Sequence, residues 1–467
     1  MKRKLSGRDL LLVGFTLFSM FFGAGNLIFP PFLGAEAGVL TWHAMGGFLL
    51  SAVGLPVLGV AAVAMSGGLG RLGERVHPKF AFVFTLLIYL SIGPCLAIPR
   101  TASTSFEMAV LPYLGKAGQR WNETAQLLYS AVFFGIAMAL AFRPDKLTER
   151  LGKILCPTLL ILIAVIFTGC LIWPLGPGGA PAKDYASHPA VKGFLEGYQT
   201  MDTIAALNFG IVIALNIRAK GVQEDGQVVR ETIKAGVIAG VLMAAVYAAL
   251  AHVGMPAGAK MMYPGNGARI LTYVANSLFG SAGMVLLGLI FFIACLNTCV
   301  GLLSCCSQYF SSILPFLGYR SWVAVFAVVS LMISNAGLNR ILAFSVPVLN
   351  AIYPVAIVLI VLAFLNPLLK GWRRVYPCAI LFTGVVSVLY ALEQSNVLTG
   401  ALPRAVGMLA GAGAGSAVQG VMKQFEALVG LLPGYDAGLG WILPAAAGIA
   451  VGILLSLGKN GKTFARG

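Results

Sequence analysis

Apolar positions in this chain neither alternate nor keep to one helical face; they come in long runs separated by short polar stretches. A run of about 20 apolar residues is the length that carries a helix across hydrocarbon, and about twelve such runs can be read. They lie near 10–32, 44–65, 80–99, 124–142, 152–173, 199–217, 234–254, 281–310, 321–336, 341–365, 372–392 and 440–458. The ninth is short and the eighth long enough to be tilted. The pattern predicts an all-α, polytopic membrane protein with one transmembrane domain over residues 1–467. The first run is too long for a signal peptide and has no small-residue cleavage site, so it is expected to stay as a helix.

Two runs hold residues that disfavour a continuous helix. In the first, Phe22-Gly23-Ala24-Gly25-Asn26 is followed by Pro30-Pro31. A break at membrane depth is tolerated only where the freed amides and carbonyls line a cavity or meet other protein. A helix that stops at Phe22 and restarts near Asn26 would aim amides of Gly23, Ala24 and Gly25 at the midplane, where a carboxylate can dock. In the sixth, Ala206-Leu207-Asn208-Phe209-Gly210 again sets Asn, Phe and Gly inside an apolar run, and a second break is expected there. Its outer carbonyls would accept an ammonium while Phe209 supplies an apolar wall, so two facing breaks suit a zwitterion. The competing readings are small-residue helix packing at the first and a kinked packing helix with a buried Asn at the sixth.

The runs also repeat. Five spans, residues 10–173, precede a Gly- and Pro-rich loop at 176–188, and five more occupy 199–365, with the breaks and Pro157 against Pro347 at similar offsets. Five is odd, so the second copy would enter the membrane from the opposite side, an inverted-topology repeat of the kind transporters use. The runs at 372–392 and 440–458 are then extra, and 393–439 reads as an outer loop with a short interfacial helix.

Composition supports the membrane reading: 58% of residues are hydrophobic and 10% charged, against roughly 25% charged in soluble domains. The formal charge of +16 would suggest nucleic acid in a soluble protein. Here most Lys and Arg fall between alternate spans, at Arg71/Arg75/Lys79, Arg143/Lys146/Arg150/Lys153, Arg218/Lys220/Arg230/Lys234 and Lys370/Arg373/Arg374. The positive-inside rule then puts both termini in the cytoplasm. Membrane lipid is the expected surrounding and no nucleic-acid partner is expected; the sequence leaves the oligomeric state open. All 8 cysteines lie in apolar runs without a CxxC spacing, so neither a disulfide framework nor a zinc site is expected.

Other polar groups in the spans are candidates of differing strength. Asp202 lies about two turns outward of the expected second break and reads either as a gating or coupling carboxylate or as a helix N-terminal acid. His252 suits the membrane interface better than a proton relay. In span eight, the Ala294 carbonyl with Asn297 and Thr298 offers neutral oxygens that suit sodium, alongside carbonyls from the first break; polar helix–helix contact is the alternative. Ser91-Ile92-Gly93-Pro94 makes span three irregular, and Arg100 is expected to snorkel to the interface. The tail Gly458–Thr463 ends like a phosphate-binding loop but lacks its first glycine and its strand. No nucleophile, acid/base pair or metal cluster suggests an enzyme.

The segment Asp9-Leu10-Leu11 through Phe22-Gly23-Ala24-Gly25-Asn26-Leu27-Ile28-Phe29-Pro30-Pro31, with Gly197-Tyr198, Thr200-Met201-Asp202 and Leu207-Asn208-Phe209-Gly210, resembles the bacterial branched-chain amino acid transport system II carriers. That family belongs to the amino acid–polyamine–organocation superfamily. The resemblance implies a LeuT-type fold of five-plus-five inverted repeats with two extra helices, in the bacterial inner membrane. It implies sodium-coupled import of leucine, isoleucine and valine, with no organic cofactor. Carried over, substrate contacts fall on Gly23, Ala24, Gly25, Asn26, Ala206, Leu207, Asn208, Phe209 and Gly210. The superfamily's sodium site falls on Ser19, Phe22, Ala294, Asn297 and Thr298, with Asn297 standing where a hydroxyl residue is usual. A proton-coupled carrier or exchanger of the same fold is the alternative; a channel or receptor is the alternative of a different class.

Overall fold

Each apolar run carries helix, and the interruptions decide how those helices can be used. The computed structural model describes residues 4–114, 121–142, 156–261, 265–369, 372–395, 419–420, 424, 427 and 429–464. Arg143, Lys146, Arg150, Lys153, Lys370 and most of 393–428 lie outside the described residues, as does the start of the fifth run. The described chain falls into two compact units, Met1–Ala64 with Leu86–Leu342 and Met65–Thr85 with Ala343–Gly467.

The first unit opens with α1 (Gly7–Phe21) and α2 (Ala24–Ala37). Ser6 starts α1 by accepting the Asp9 amide at 3.1 Å, a side-chain N-cap. The second apolar run is α3 (Thr41–Leu49), a π-helical stretch Leu50–Gly54, and α4 (Leu55–Ser66). The excursion Met65–Thr85, with α5 (Leu69–Glu74) and most of α6 (Pro78–Leu90), belongs to the second unit; the third run continues through an irregular turn Ser91–Cys95 into α7 (Ala97–Ala109). That irregularity matches the expectation from Gly93-Pro94: Gly93 has non-helical φ −90°, ψ −129°. Then come α8 (Asn122–Ala141), α9 (Cys156–Ile172), the short α10 (Lys183–Ser187), α11 (Pro189–Tyr198), α12 (Asp202–Ala219) and α13 (Asp225–Lys260). Two helices merge at Gly280, where φ is +56°, into α14 (Gly267–Ile313), followed by α15 (Tyr319–Ser334).

Glycine seams hold this unit together. A Cβ at Gly34, Gly254 or Gly258 would lie 2.1, 2.1 or 2.0 Å from the carbonyl oxygens of Ala251, Pro31 and Ala35. Thus α2 and α13 touch backbone to backbone, the packing that lipid favours because it offers helices no hydrophobic gain. A second seam joins α3 to α11, where a Cβ at Gly193 would lie 1.9 Å from the Ala44 carbonyl oxygen and one at Gly197 1.9 Å from Ser51 Oγ.

In the second unit, α17 (Val375–Gln394) packs on α18 (Ile442–Phe464), where a Cβ at Gly452 would lie 2.5 Å from Val375 Cα. The tail Gly458–Thr463 continues α18. The last run of the repeat, α16 (Leu338–Leu365), carries Pro347 and Pro354 inside the helix, and the sequence boundary between the units falls after its Leu342. Among the described residues eight helical stretches are long and apolar enough to cross a membrane. Leu128, Val132, Val241 and Leu381 stay exposed on such helices, as lipid-facing residues should.

Candidate functional site

The break in the first span is short. α1 ends at Phe21, Gly23 caps α2 in an extended conformation, and helix resumes at Ala24 rather than near Asn26. Asn26 is the reason this turn is stable: its Oδ1 accepts the Gly23 amide at 2.9 Å. That amide is therefore engaged, and the open donors of the turn are the first-turn amides after it, which a helix cannot satisfy internally.

The sixth span is broken, but at Gln199–Met201 instead of Ala206–Gly210. Residues Asp202–Ala219 form an uninterrupted helix, so Ala206, Leu207, Asn208, Phe209 and Gly210 are helical, and the unwinding expected there does not occur. Glycine at 210 serves contact, since its Cβ would meet the Val60 carbonyl oxygen at 2.9 Å. Asn208 is 3% exposed within the helix. The real break rests on capping chemistry. Thr200 Oγ1 donates to the Gly197 carbonyl at 2.9 Å, and the Met201 amide to the Tyr198 carbonyl at 3.0 Å. Met201 takes a left-handed conformation, φ 66°, which costs a non-glycine residue roughly 1–2 kcal/mol and is held here by its surroundings. Asp202 then opens α12, where a carboxylate suits the helix dipole.

The two breaks meet at one cavity. Its floor and first side come from Met20, Phe21, Gly23, Ala24, Gly25 and Asn26; the second break adds Thr200, Met201, Asp202, Ala205 and Phe209. The irregular third span contributes Ile92, Ala97, Arg100 and Thr101, and α14 contributes Thr298 and Leu302. Of the expected substrate contacts, Gly23, Ala24, Gly25, Asn26 and Phe209 line it; Ala206, Leu207, Asn208 and Gly210 are not among its lining residues. They fall elsewhere because the break lies about two turns earlier than their register assumed.

Two charged residues line the cavity, and both differ from their expected settings. Arg100 does not snorkel: it is 3% exposed, its Nη1 donates to the Gln199 carbonyl at 2.7 Å, and its guanidinium sits 5.7 Å from the centre of the Phe29 ring. It thereby caps the carbonyl end of α11. Asp202 lies not two turns outward of the second break but at its end, and is 2% exposed beside the first break. Its Oδ2 accepts from Asn26 Nδ2 at 2.6 Å and from Tyr247 Oη at 2.9 Å, and Asn26 Nδ2 also donates to Tyr247 Oη. Tyr247, on α13, was not singled out by sequence; an unremarkable tyrosine in an apolar run carries no local signal. His252 packs between Trp42 and Phe167, with ring centres 6.5 and 5.9 Å away, away from this cluster.

Next to the cavity, α14 meets the end of α1. Thr298 Oγ1 donates to the Phe22 carbonyl at 3.1 Å, and Asn297 Nδ2 donates to the Ser19 carbonyl at 3.1 Å and to Ser19 Oγ at 2.6 Å. Ser19, Phe22, Asn297 and Thr298 are thus brought together, with the fully buried Ala294 one turn before Thr298 on the same helix. Asn297 Oδ1 is buried and has no hydrogen-bond partner among the described residues. Turning the amide over would exchange the donating nitrogen for that oxygen, creating an all-oxygen cluster of the kind a hard monovalent cation takes.

The family model described as "Branched-chain amino acid transport protein" matches residues 6–458. The chain is 40% identical to the branched-chain amino acid permease BraB of Bacillus subtilis over 458 residues, 98% of this chain and 97% of that protein. It is 38% identical over 458 residues to the branched-chain amino acid transport system 2 carrier protein of Pseudomonas aeruginosa, covering 97% and 98% of the two. Among solved structures it is similar to MhsT in complex with L-phenylalanine, at TM-score 0.56 and 16% identity over 98% of this chain and 99% of that one. It is also similar to Mhp1, a nucleobase-cation-symport-1 transporter with bromovinylhydantoin bound, at TM-score 0.56 and 12% identity over 93% and 96%. The fold is therefore the LeuT type, nearly all helix.

Proposed function

Since the chain belongs to the branched-chain amino acid transport protein family, we propose that it is a sodium-coupled symporter importing leucine, isoleucine and valine across the bacterial inner membrane, with both termini cytoplasmic. The observation that carries this reading is a cavity lined by both interrupted helices. The amino acid's charged ends would lie near the breaks and its aliphatic side chain against Phe21, Phe209, Ile92 and Leu302. An apolar wall separates side chains differing by a methylene by only about 1–3 kcal/mol, so leucine, isoleucine and valine should compete. The cavity holds about 30 Å³, the space of one or two waters. A leucine needs several times that, so loading requires the lining to open as the broken helices swing against the rest.

Sodium would be carried at Ser19, Phe22, Ala294, Asn297 and Thr298. Because these groups include the carbonyl end of α1 immediately before the break, a cation there orders the segment that the substrate also needs. Coupling is then the preference of both solutes for the same arrangement.

A second reading has its own support in the buried Asp202 carboxylate on the cavity wall, a group suited to carrying a proton. One experiment separates them: labelled leucine uptake by proteoliposomes under an inward sodium gradient or an inward proton gradient. Uptake driven by sodium at symmetrical pH supports the first; uptake that ignores sodium and follows the proton gradient replaces it with the second.

A further inference from the structure

The charges of Arg100 and Asp202 are expensive to bury, and neither is spent on an outer gate or a lipid interface. Both line the cavity and flank the same helical turn. A Cβ added at Gly25 would lie 2.8 Å from Arg100 Nη2, so the guanidinium lies against the amide end of α2. On the Asn26 side of that turn, Asp202 is held through Asn26 and Tyr247. Arg100 also occupies the carbonyl of Gln199, the end of α11 that would otherwise receive an ammonium. A cation and a helix amide end together favour an anion, whereas a buried carboxylate on the other flank of the turn favours a cation.

We propose that this pair of side chains is the zwitterion clamp of the transporter: Arg100 receives the substrate's carboxylate beside Gly25, and Asp202 receives its ammonium. The inference rests on the reading of the cavity as an amino acid site and goes beyond it, because it makes substrate class depend on two side-chain charges and not on backbone ends alone. The consequence is selectivity against compounds with the right side chain and one missing charge. Leucinamide brings an ammonium into the cavity without the carboxylate that Arg100 would hold, and 4-methyl-2-oxopentanoate brings a carboxylate without the ammonium that Asp202 would hold. Each adds one net charge to a buried site whose own two charges balance, which costs far more than a lost methylene.

The test uses the purified full-length protein and the rise in its unfolding midpoint with ligand, converted to apparent affinities. Wild type should bind leucine about 100-fold or more tighter than either analogue. In Arg100→Gln the preference for leucine over leucinamide should collapse to within about tenfold while the preference over the oxo acid persists. In Asp202→Asn the pattern should reverse, and Arg100→Lys should keep most of the leucinamide discrimination. If the neutral variants fold but retain both wild-type ratios, or if wild type binds the analogues as tightly as leucine, the clamp is wrong although transport stands. If wild type binds none of leucine, isoleucine or valine, the cavity assignment itself is wrong and the clamp falls with it. Should a neutral variant not fold, the wild-type ratios and Arg100→Lys still decide.

Discussion

Replacing Gly23 with alanine perturbs the proposed sodium site through a residue that has no side chain to offer it. The new Cβ would lie 2.5 Å from Thr298 Oγ1, 2.9 Å from its Cγ2 and 3.0 Å from its Cβ, against the 3.4–4 Å of ordinary contact. The hydroxyl must retreat by roughly an ångström, which in a packed interior costs about 1–3 kcal/mol. The retreat also breaks its 3.1 Å hydrogen bond to the Phe22 carbonyl, worth about 1 kcal/mol net. If about 2 kcal/mol of this opposes sodium binding, half-saturating sodium for leucine uptake should rise roughly 30-fold. The assay is initial leucine uptake by proteoliposomes over a sodium titration, in wild type, Gly23→Ala, Thr298→Ala and the double variant. Thr298→Ala removes the two closest atoms and leaves only its Cβ at 3.0 Å, so adding Gly23→Ala to it should cost much less than in wild type, a strongly non-additive cycle. An unchanged sodium titration for Gly23→Ala, or simple additivity in the cycle, would refute the assignment of Thr298.

Other substitutions probe other parts of the argument. Thr298→Val keeps the shape but loses the hydroxyl, and should weaken sodium dependence before it affects leucine affinity at saturating sodium. Gly25→Leu should abolish leucine binding, since even its Cβ would press Arg100 Nη2 at 2.8 Å; binding by the purified variant checks this. Tyr247→Phe removes a donor to Asp202 and leaves buried polar groups short of a partner, at about 1–3 kcal/mol; a fall of the unfolding midpoint should accompany it. Gly254→Val sets a branched side chain where a Cβ already falls 2.1 Å from the Pro31 carbonyl oxygen, and should eliminate folded protein on size-exclusion chromatography.

The helices and the first break were legible because long apolar runs and a Gly-Ala-Gly-Asn sequence are strong local signals. The second break lies about two turns before Asn208 and Gly210 because capping, not helix propensity, sets it. Asn208 and Gly210 weaken a helix by a kcal/mol or so, and tertiary contact at Val60 overrides that. The informative residues were Thr200 and Asp202, helix-end chemistry immediately before an apolar run. The reading of Asp202 as a helix N-terminal acid fits its place at the start of α12. Arg100 was misread for a different reason. Its position near the end of an apolar run fits snorkelling, and only the turn at Gly93, which redirects α7, together with the carbonyl of Gln199, 99 residues away in sequence, brings it inward. Such long-range partners leave no trace in local pattern.

The bare-backbone seam between α2 and α13 limits how the cavity can be reshaped. With carbonyl oxygens of Pro31, Ala35 and Ala251 seated in glycine notches, neither helix can slide or roll along the other without a steric collision at every notch. The two therefore behave as one plank, additionally pinned at the level of Asn26 and Tyr247. The pliable joint left to that plank is the non-helical pair Phe22–Gly23, so any swing of α2 pivots beside the oxygens of Ser19 and Phe22. A solute seated at that pivot acts as a brake shoe on the whole plank, with leverage far larger than its own few contacts.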